Sequence, residues 1–187
     1  MIAQTKGEVE LFSTYLLNIY EEFIVQEYIG TPDSEYTVGI LNTMDGEFIN
    51  SIAVHKSIET ALNNRIKIKN RTGIETLGKN LVVSSGISEG YVDRFPEVTN
   101  VCEKIVEKLG AKAAINVQCR LYQNQVFVFE INPRFSGTTS IRALMGYNEP
   151  EVLIRRHILG EKIEQNFKYQ SGYVARGLQE VLVENKE

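Results

Sequence analysis

Residues 115–137 read INVQCRLYQNQVFVFEINPRFSG. Ile115, Val117, Cys119 and Leu121 alternate with Asn116, Gln118 and Arg120, the period of two that sends successive side chains to opposite faces of a strand. A second run, Val126 to Asn132, follows Gln123, Asn124 and Gln125, so the segment predicts an antiparallel hairpin. Asn116 and Gln118 share one face of its first strand, and Glu130 and Asn132 share one face of its second. The turn decides whether those faces coincide. A loop of three residues pairs Tyr122 with Val126, sets Gln118 opposite Glu130 and Asn116 opposite Asn132, and gathers four polar side chains on one face. A loop of two shifts the register and sends the two pairs to opposite faces. Asn124 tolerates a left-handed backbone, which suits the longer loop.

A carboxylate flanked by amide oxygens is a hard-oxygen set suited to Mg²⁺, which keeps waters and takes further ligands from substrate phosphates. An ordinary hairpin with a polar outer face shows the same alternation. The sequel Asn132-Pro133-Arg134-Phe135-Ser136-Gly137 favours a site. It sets a permanently charged fork beside the metal position, where a transferring phosphoryl group needs stabilisation.

Upstream, Val9, Phe12, Leu16, Ile19 and Tyr20 fall at helical spacing and predict a helix from Glu8 to Tyr20, leading into a strand at Phe23–Ile29, FIVQEYI. After the turn cluster Gly30-Thr31-Pro32-Asp33-Ser34, Glu35 to Thr43 and Glu47 to Lys56 flank Asp45-Gly46 as a β-hairpin. Arg65, Lys67, Lys69 and Arg71 alternate with Ile66 and Ile68 in a strand period, and Leu81 to Ser84 makes a short strand. Val98, Val101, Cys102, Ile105 and Leu109 predict a helix that Gly110 ends. Beyond Pro133, helices are expected over Thr138–Met145 and from Pro150 to Leu159, then a closing strand from Gly172 to Glu184. No internal repeat or linker divides the chain, so one domain over 1–187 is expected. The fold class is α+β, an antiparallel β-sheet flanked by helices.

Composition narrows the chemistry. With 187 residues, 43% apolar and 24% charged, the chain has globular proportions. No apolar run reaches a membrane span, and the polar start lacks a secretory core, so a cytoplasmic protein without a membrane partner is expected. Net charge of −4 argues against a nucleic-acid partner. Two cysteines, Cys102 and Cys119, make no disulfide framework or zinc pattern, and both fall on apolar faces as core residues. His55 and His157 read as structural. Gly73 to Asn80 approaches a phosphate-binding loop, but Asn80 replaces the Ser or Thr that holds the metal, and strand follows where a helix is required.

EINPRFSG after a strand, preceded by NVQ and followed by a helix, resembles the ATP-grasp superfamily, in particular the ATP-binding domain of the carbamoyl phosphate synthase large subunit and related carboxylate–amine ligases. FIVQEYIGTPDSEYTVGIL resembles the family's adenine-binding strand and the next strand with its ribose-binding glutamate, and GYNEPEVLIRRHILGE resembles the helix beyond the metal strand. The resemblance runs from Lys6 to Val183, strongest at both ends. It implies that Glu130 and Asn132 bind Mg²⁺, or Mn²⁺ in its place, with Gln118 as a further ligand and Asn116 beside it. Arg134 would contact the γ-phosphate and the developing acyl phosphate. Gln26, Glu27, Tyr28 and Ile29 would face adenine, and Glu35 would accept from the ribose hydroxyls.

The chain then resembles the C-terminal ATP-grasp subdomain, with residues 1–22 as a helix and a remnant of the glycine-rich loop at Thr5-Lys6-Gly7, and 23–187 as the ATP- and Mg²⁺-binding part. The N-terminal part, in the same or another chain, and a second copy of this chain are the expected protein partners. Arg65, Lys67, Lys69 and Arg71 read as a solvated strand face, with Arg71 alternatively reaching the cleft to hold a small carboxylate substrate. The activity implied is ATP- and Mg²⁺-dependent ligation: phosphoryl transfer to a carboxylate, then capture of the acyl phosphate by an amine-type nucleophile. The alternative is a nucleotide-binding module without turnover, regulatory or structural in role.

Overall fold

The computed structural model describes residues 1–58 and 64–177. Its centre is a six-stranded antiparallel sheet built from β1 (Glu35–Asn42), β2 (Phe48–Ser57), β5 (Glu89–Asp93), β6 (Ala114–Tyr122), β7 (Gln125–Asn132) and β8 (Gly172–Val174). The spatial order is β7, β6, β1, β2, β5, β8. A smaller antiparallel pair, β3 (Asn64–Lys69) and β4 (Asn80–Ser84), stands apart from it. The helices are α1 (Lys6–Leu17), α2 (Pro96–Lys108), α3 (Thr139–Leu144) and α4 (Glu149–His157).

Alternation along the strands makes two cores, one on each face of the sheet. Tyr36, Val38 and Ile40 of β1 meet Ile115, Val117 and Cys119 of β6 under Val98, Cys102 and Val106 of α2. Leu41, Ile52, Val54 and Val92 point the other way and are covered by Ile141, Met145, Tyr147 and Val152 from the α3–α4 region. Each fully buried Val, Leu or Ile side chain contributes about 1.5–3 kcal/mol relative to exposure. The antiparallel sheet flanked by helices stands as expected, and both cysteines are buried in the first core.

Several local expectations are corrected. Phe23–Ile29 adopts no regular secondary structure and joins no sheet. Side chains tether it instead: Gln26 Nε2 donates to Phe129 O, Tyr28 OH to Val82 O, and Arg120 Nη1 to Ile29 O. An extended segment becomes a strand only where a neighbouring edge takes up its backbone groups. The α2 face that buries is Val98, Thr99, Cys102 and Val106, while Val101 and Leu109 are exposed. The helical stripe follows the i, i+4, i+8 row. Strand β5 was not anticipated; its glycine and charged residues hide the period of two. The closing strand is limited to Gly172–Val174 among the described residues, and its expected continuation to Glu184 lies largely outside them.

Hairpin β6–β7 reaches the predicted pairing by another route. The turn is two residues, Gln123 and Asn124, both left-handed at φ 48° and 60°, with Tyr122 paired to Gln125. Taken alone, that turn would separate the polar pairs. A bulge corrects it: Cys119 pairs with Val128 and Gln118 with Glu130, so Phe129 is the extra residue on β7. Asn116 then pairs with Asn132, and the four side chains share a face.

Candidate functional site

Register across β2, β1, β6 and β7 lays out polar rows on the face opposite α2. Thr37 of β1 pairs with Gln118, which pairs with Glu130. Gly39 pairs with Asn116, which pairs with Asn132. At the near end Glu35 pairs with Arg120, and Lys56 lies one step beyond the Tyr36–His55 pair. These rows are a consequence of strand parity, and each has a distinct electrostatic character.

The first row is a buried ion cluster. Glu35 is 2% exposed; its Oε1 accepts from Lys56 Nζ at 2.8 Å and from Ser84 Oγ, and its Oε2 from Arg120 Nη2 at 3.2 Å. Burial pushes the Glu35 carboxyl up, but the Lys56 charge, the hydrogen bonds from Lys56 and Ser84, and the Arg120 charge together hold it below its ordinary value. Arg120 also donates to Val82 O and lies over the Tyr28 ring at 4.3 Å. Lys56 donates in addition to Ser84 Oγ and to Gln118 Oε1, both at 3.0 Å.

The third row is locked from α3. Asn116 is buried, and its Oδ1 accepts from Thr37 Oγ1 and from Arg142 Nη2, both at 2.8 Å. Arg142, fully buried, pairs with buried Glu149 at 3.1 Å, and Thr139 Oγ1 donates to the other Glu149 oxygen. The amide oxygen of Asn116 is therefore occupied by the fold. Its neighbours at the open end differ: Glu130 is exposed, and its Oε1 accepts from Asn132 Nδ2 at 2.6 Å. That bond engages Glu130 Oε1, while Glu130 Oε2 and Asn132 Oδ1 accept no hydrogen bond among the described residues. Two hard oxygens and one negative charge are a donor set compatible with Mg²⁺ completed by phosphates and water. Among the described residues no cluster of three Asp, Glu, His or Cys side chains offers an alternative.

The other expected site residues are dispersed. Arg134 is exposed, one residue beyond Pro133, with Nη1 donating to Phe135 O. Gln26 docks on the bulge at Phe129, Tyr28 and Ile29 adjoin Arg120, and Glu27 is exposed. Lys6 opens α1, which Thr5 caps by accepting from Glu8 N, and the Lys6 side chain is 92% exposed with Glu10 at 3.9 Å. Arg71 pairs with Glu8 at 3.0 Å, and its backbone N donates to Gln4. Among the described residues no hydrogen bond or ion pair joins Lys6 or Arg71 to the Gln118–Glu130–Asn132 group. Sequence reasoning missed Lys56, Ser84, Arg142 and Glu149. Arg120 was missed as well; parity with Gln118 could have pointed to it and hairpin register to Lys56, whereas the α3 and α4 partners had no such signal. His55 stacks on Tyr36 at 4.5 Å and His157 Nε2 accepts from Met44 N, both structural engagements.

The sequence model of one family, "ATP-grasp in the biosynthetic pathway with Ter operon", matches residues 20–181, and the chain belongs to that ATP-grasp family. No curated protein matches it. Among solved structures, D-alanine–D-alanine ligase from Bacillus anthracis is similar with TM-score 0.47 and 14% identity, covering 83% of this chain and 49% of the ligase. The same ligase complexed with ATP is similar with TM-score 0.43 and 12% identity, over the same shares. The chain thus spans about half the length of these ligases. No described helix is long and apolar enough to cross a membrane.

Proposed function

We propose that the chain binds ATP with a divalent cation on the Gln118–Glu130–Asn132 face and serves an ATP-dependent ligase that activates a small carboxylate as its acyl phosphate. The observation that carries the reading is the coincidence of Glu130 and Asn132 on one open face, within a chain of the ATP-grasp family. Glu130 Oε2 and Asn132 Oδ1 would hold Mg²⁺, or Mn²⁺. When bound, the cation supplies charge neutralisation to phosphate oxygens. Arg134, free of carboxylate partners among the described residues, would meet phosphoryl oxygens with its guanidinium fork. The tethered 23–29 segment offers backbone groups for an adenine edge. Phosphoryl transfer of this kind asks for positioning and electrostatics rather than a protein nucleophile. The closing lysine and glycine-rich loop belong, on this reading, to an N-terminal part in the same or another chain.

The position of Lys6 favours a second reading for the chain by itself, a nucleotide-binding module without turnover, since among the described residues its ammonium reaches only Glu10. Calorimetric titration tests the first claim. ATP with Mg²⁺ should bind the wild-type chain at least about tenfold more tightly than Glu130→Ala, because the variant loses the charged ligand. Equal affinities would remove Glu130 from the site. Carboxylate-dependent ADP release, with the acyl phosphate trapped by hydroxylamine, separates the ligase from the module.

A further inference from the structure

We propose that Gln118 acts in this site as a hydrogen-bond donor to an anionic phosphate oxygen, and that Lys56 is the positioning residue that imposes this orientation. The inference rests on the nucleotide reading above and replaces the expectation that Gln118 ligates the metal through its amide oxygen.

The argument begins with what an ammonium can do. Lysine has three donors and no acceptor. Lys56 Nζ spends them on Glu35 Oε1 at 2.8 Å, Ser84 Oγ at 3.0 Å and Gln118 Oε1 at 3.0 Å. The third partner has to be the amide oxygen, because the NH₂ group would set donor against donor. Amide orientation is ordinarily an assignment between two similar ends; here the chemistry of the partner dictates it. Lys56 cannot yield by swinging to water, since it is 5% exposed and its other two bonds tie it to β1 and β4. With Oε1 engaged, Nε2 is the end that Gln118 has left. It makes no hydrogen bond among the described residues and is not one of the buried polar atoms lacking a partner, so it opens to solvent beside Glu130, the cross-strand neighbour of Gln118.

Charge points the same way. Lys56 and Arg120 contribute two positive charges to the buried cluster and Glu35 one negative charge, leaving a net positive charge behind Gln118. A free NH₂ in front of an uncompensated cation suits an anion, and a metal ion bound there would be repelled by that cation. Glu130 and Asn132, one strand further out, retain the hard oxygens. Division of labour follows: the β7 pair takes the cation and Gln118 takes a phosphate oxygen.

The test separates metal from nucleotide. Mn²⁺ alone is titrated by water-proton relaxation, and the Mg²⁺ complex of a β,γ-imido ATP analogue by calorimetry, against wild type, Glu130→Gln, Gln118→Leu and Gln118→Glu. Gln118→Leu should change Mn²⁺ affinity less than about twofold and weaken the nucleotide about tenfold, the effect of losing one hydrogen bond to a charged group. Gln118→Glu should leave Mn²⁺ unchanged while Lys56 is present, because the new carboxylate pairs with the ammonium. In a Lys56→Met background the same substitution should tighten Mn²⁺ about tenfold, as the released carboxylate turns to the cation. That coupling is one a merely structural lysine would not produce. If Gln118→Leu costs as much Mn²⁺ affinity as Glu130→Gln, the amide oxygen is a ligand and the inference is overturned while the nucleotide reading stands. If Glu130→Gln changes neither titration, the nucleotide reading itself fails and takes this inference with it. Should Lys56→Met not fold, the single substitutions at Gln118 decide alone.

Discussion

Gly39 is a glycine because of the space its neighbours fill rather than its own backbone conformation. A Cβ there would overlap the Arg142 guanidinium and lie 2.9 Å from Glu149 Oε1. Neither group has room to retreat, since both are buried and Arg142 also bonds Asn116. Gly39→Ala should therefore cost about 1–3 kcal/mol, the range for overpacking a filled core. Urea denaturation measures it, and a change within about 0.5 kcal/mol of wild type, the range of ordinary surface substitutions, would show that the Arg142 pair relaxes freely. The same packing explains why Asn116, though on the face of the metal pair, is committed to the fold: its amide oxygen already has two donors.

At the scale of the element, β7 shows how a local irregularity serves the site. The two-residue turn and the bulge at Phe129 compensate each other, so Gln118 and Glu130 meet despite the short loop. Deleting Phe129 should then keep that pairing, because Glu130 would follow Val128 directly into register opposite Gln118. What it should remove is the acceptor that Gln26 uses, Phe129 O at 2.9 Å. The expected outcome is unchanged cross-strand contacts between β6 and β7, together with faster amide exchange around Gln26 in the tethered segment. Loss of the Gln118–Glu130 contact in the deletion would show that the bulge, and not the turn plus side-chain alternation, holds the register.

Across the whole molecule, the Glu35 cluster joins the two sheets. Lys56, Glu35 and Arg120 belong to the large sheet, while Ser84 and the Val82 carbonyl belong to β4 of the small one. Its stabilisation depends on ionised Glu35. Because the folded state lowers this carboxyl below its ordinary 4.5, the contribution is complete above that pH and is lost as pH falls through the depressed folded-state value. Glu35→Gln, which leaves Lys56 and Arg120 without their counter-charge, should cost about 3–5 kcal/mol near neutrality. The gap between variant and wild type should narrow as acid protonates the wild-type carboxyl. Denaturation at a series of pH values checks this; a gap that stays constant far below pH 4.5 would mean the carboxylate charge is not what binds the sheets.

The sequence by itself determined the antiparallel α+β class, both main hairpins, the core cysteines and the sharing of one strand face by Asn116 and Gln118 and of another by Glu130 and Asn132. All of these follow from periodicity and chain proximity, which a reader of the sequence has in full. Only the tertiary structure decided the turn length and the bulge that restores the register, because Gln123 carries no signal for the left-handed backbone it adopts. It also decided that Phe23–Ile29 stays out of the sheet and that Lys6 and Arg71 engage α1. Above all it chose the partners: Lys56 for Gln118 and Arg142 for Asn116. Those pairs are separated by 62 and 26 residues in the chain. The free energy of a buried charge depends on what surrounds it in space, and local pattern holds no record of that.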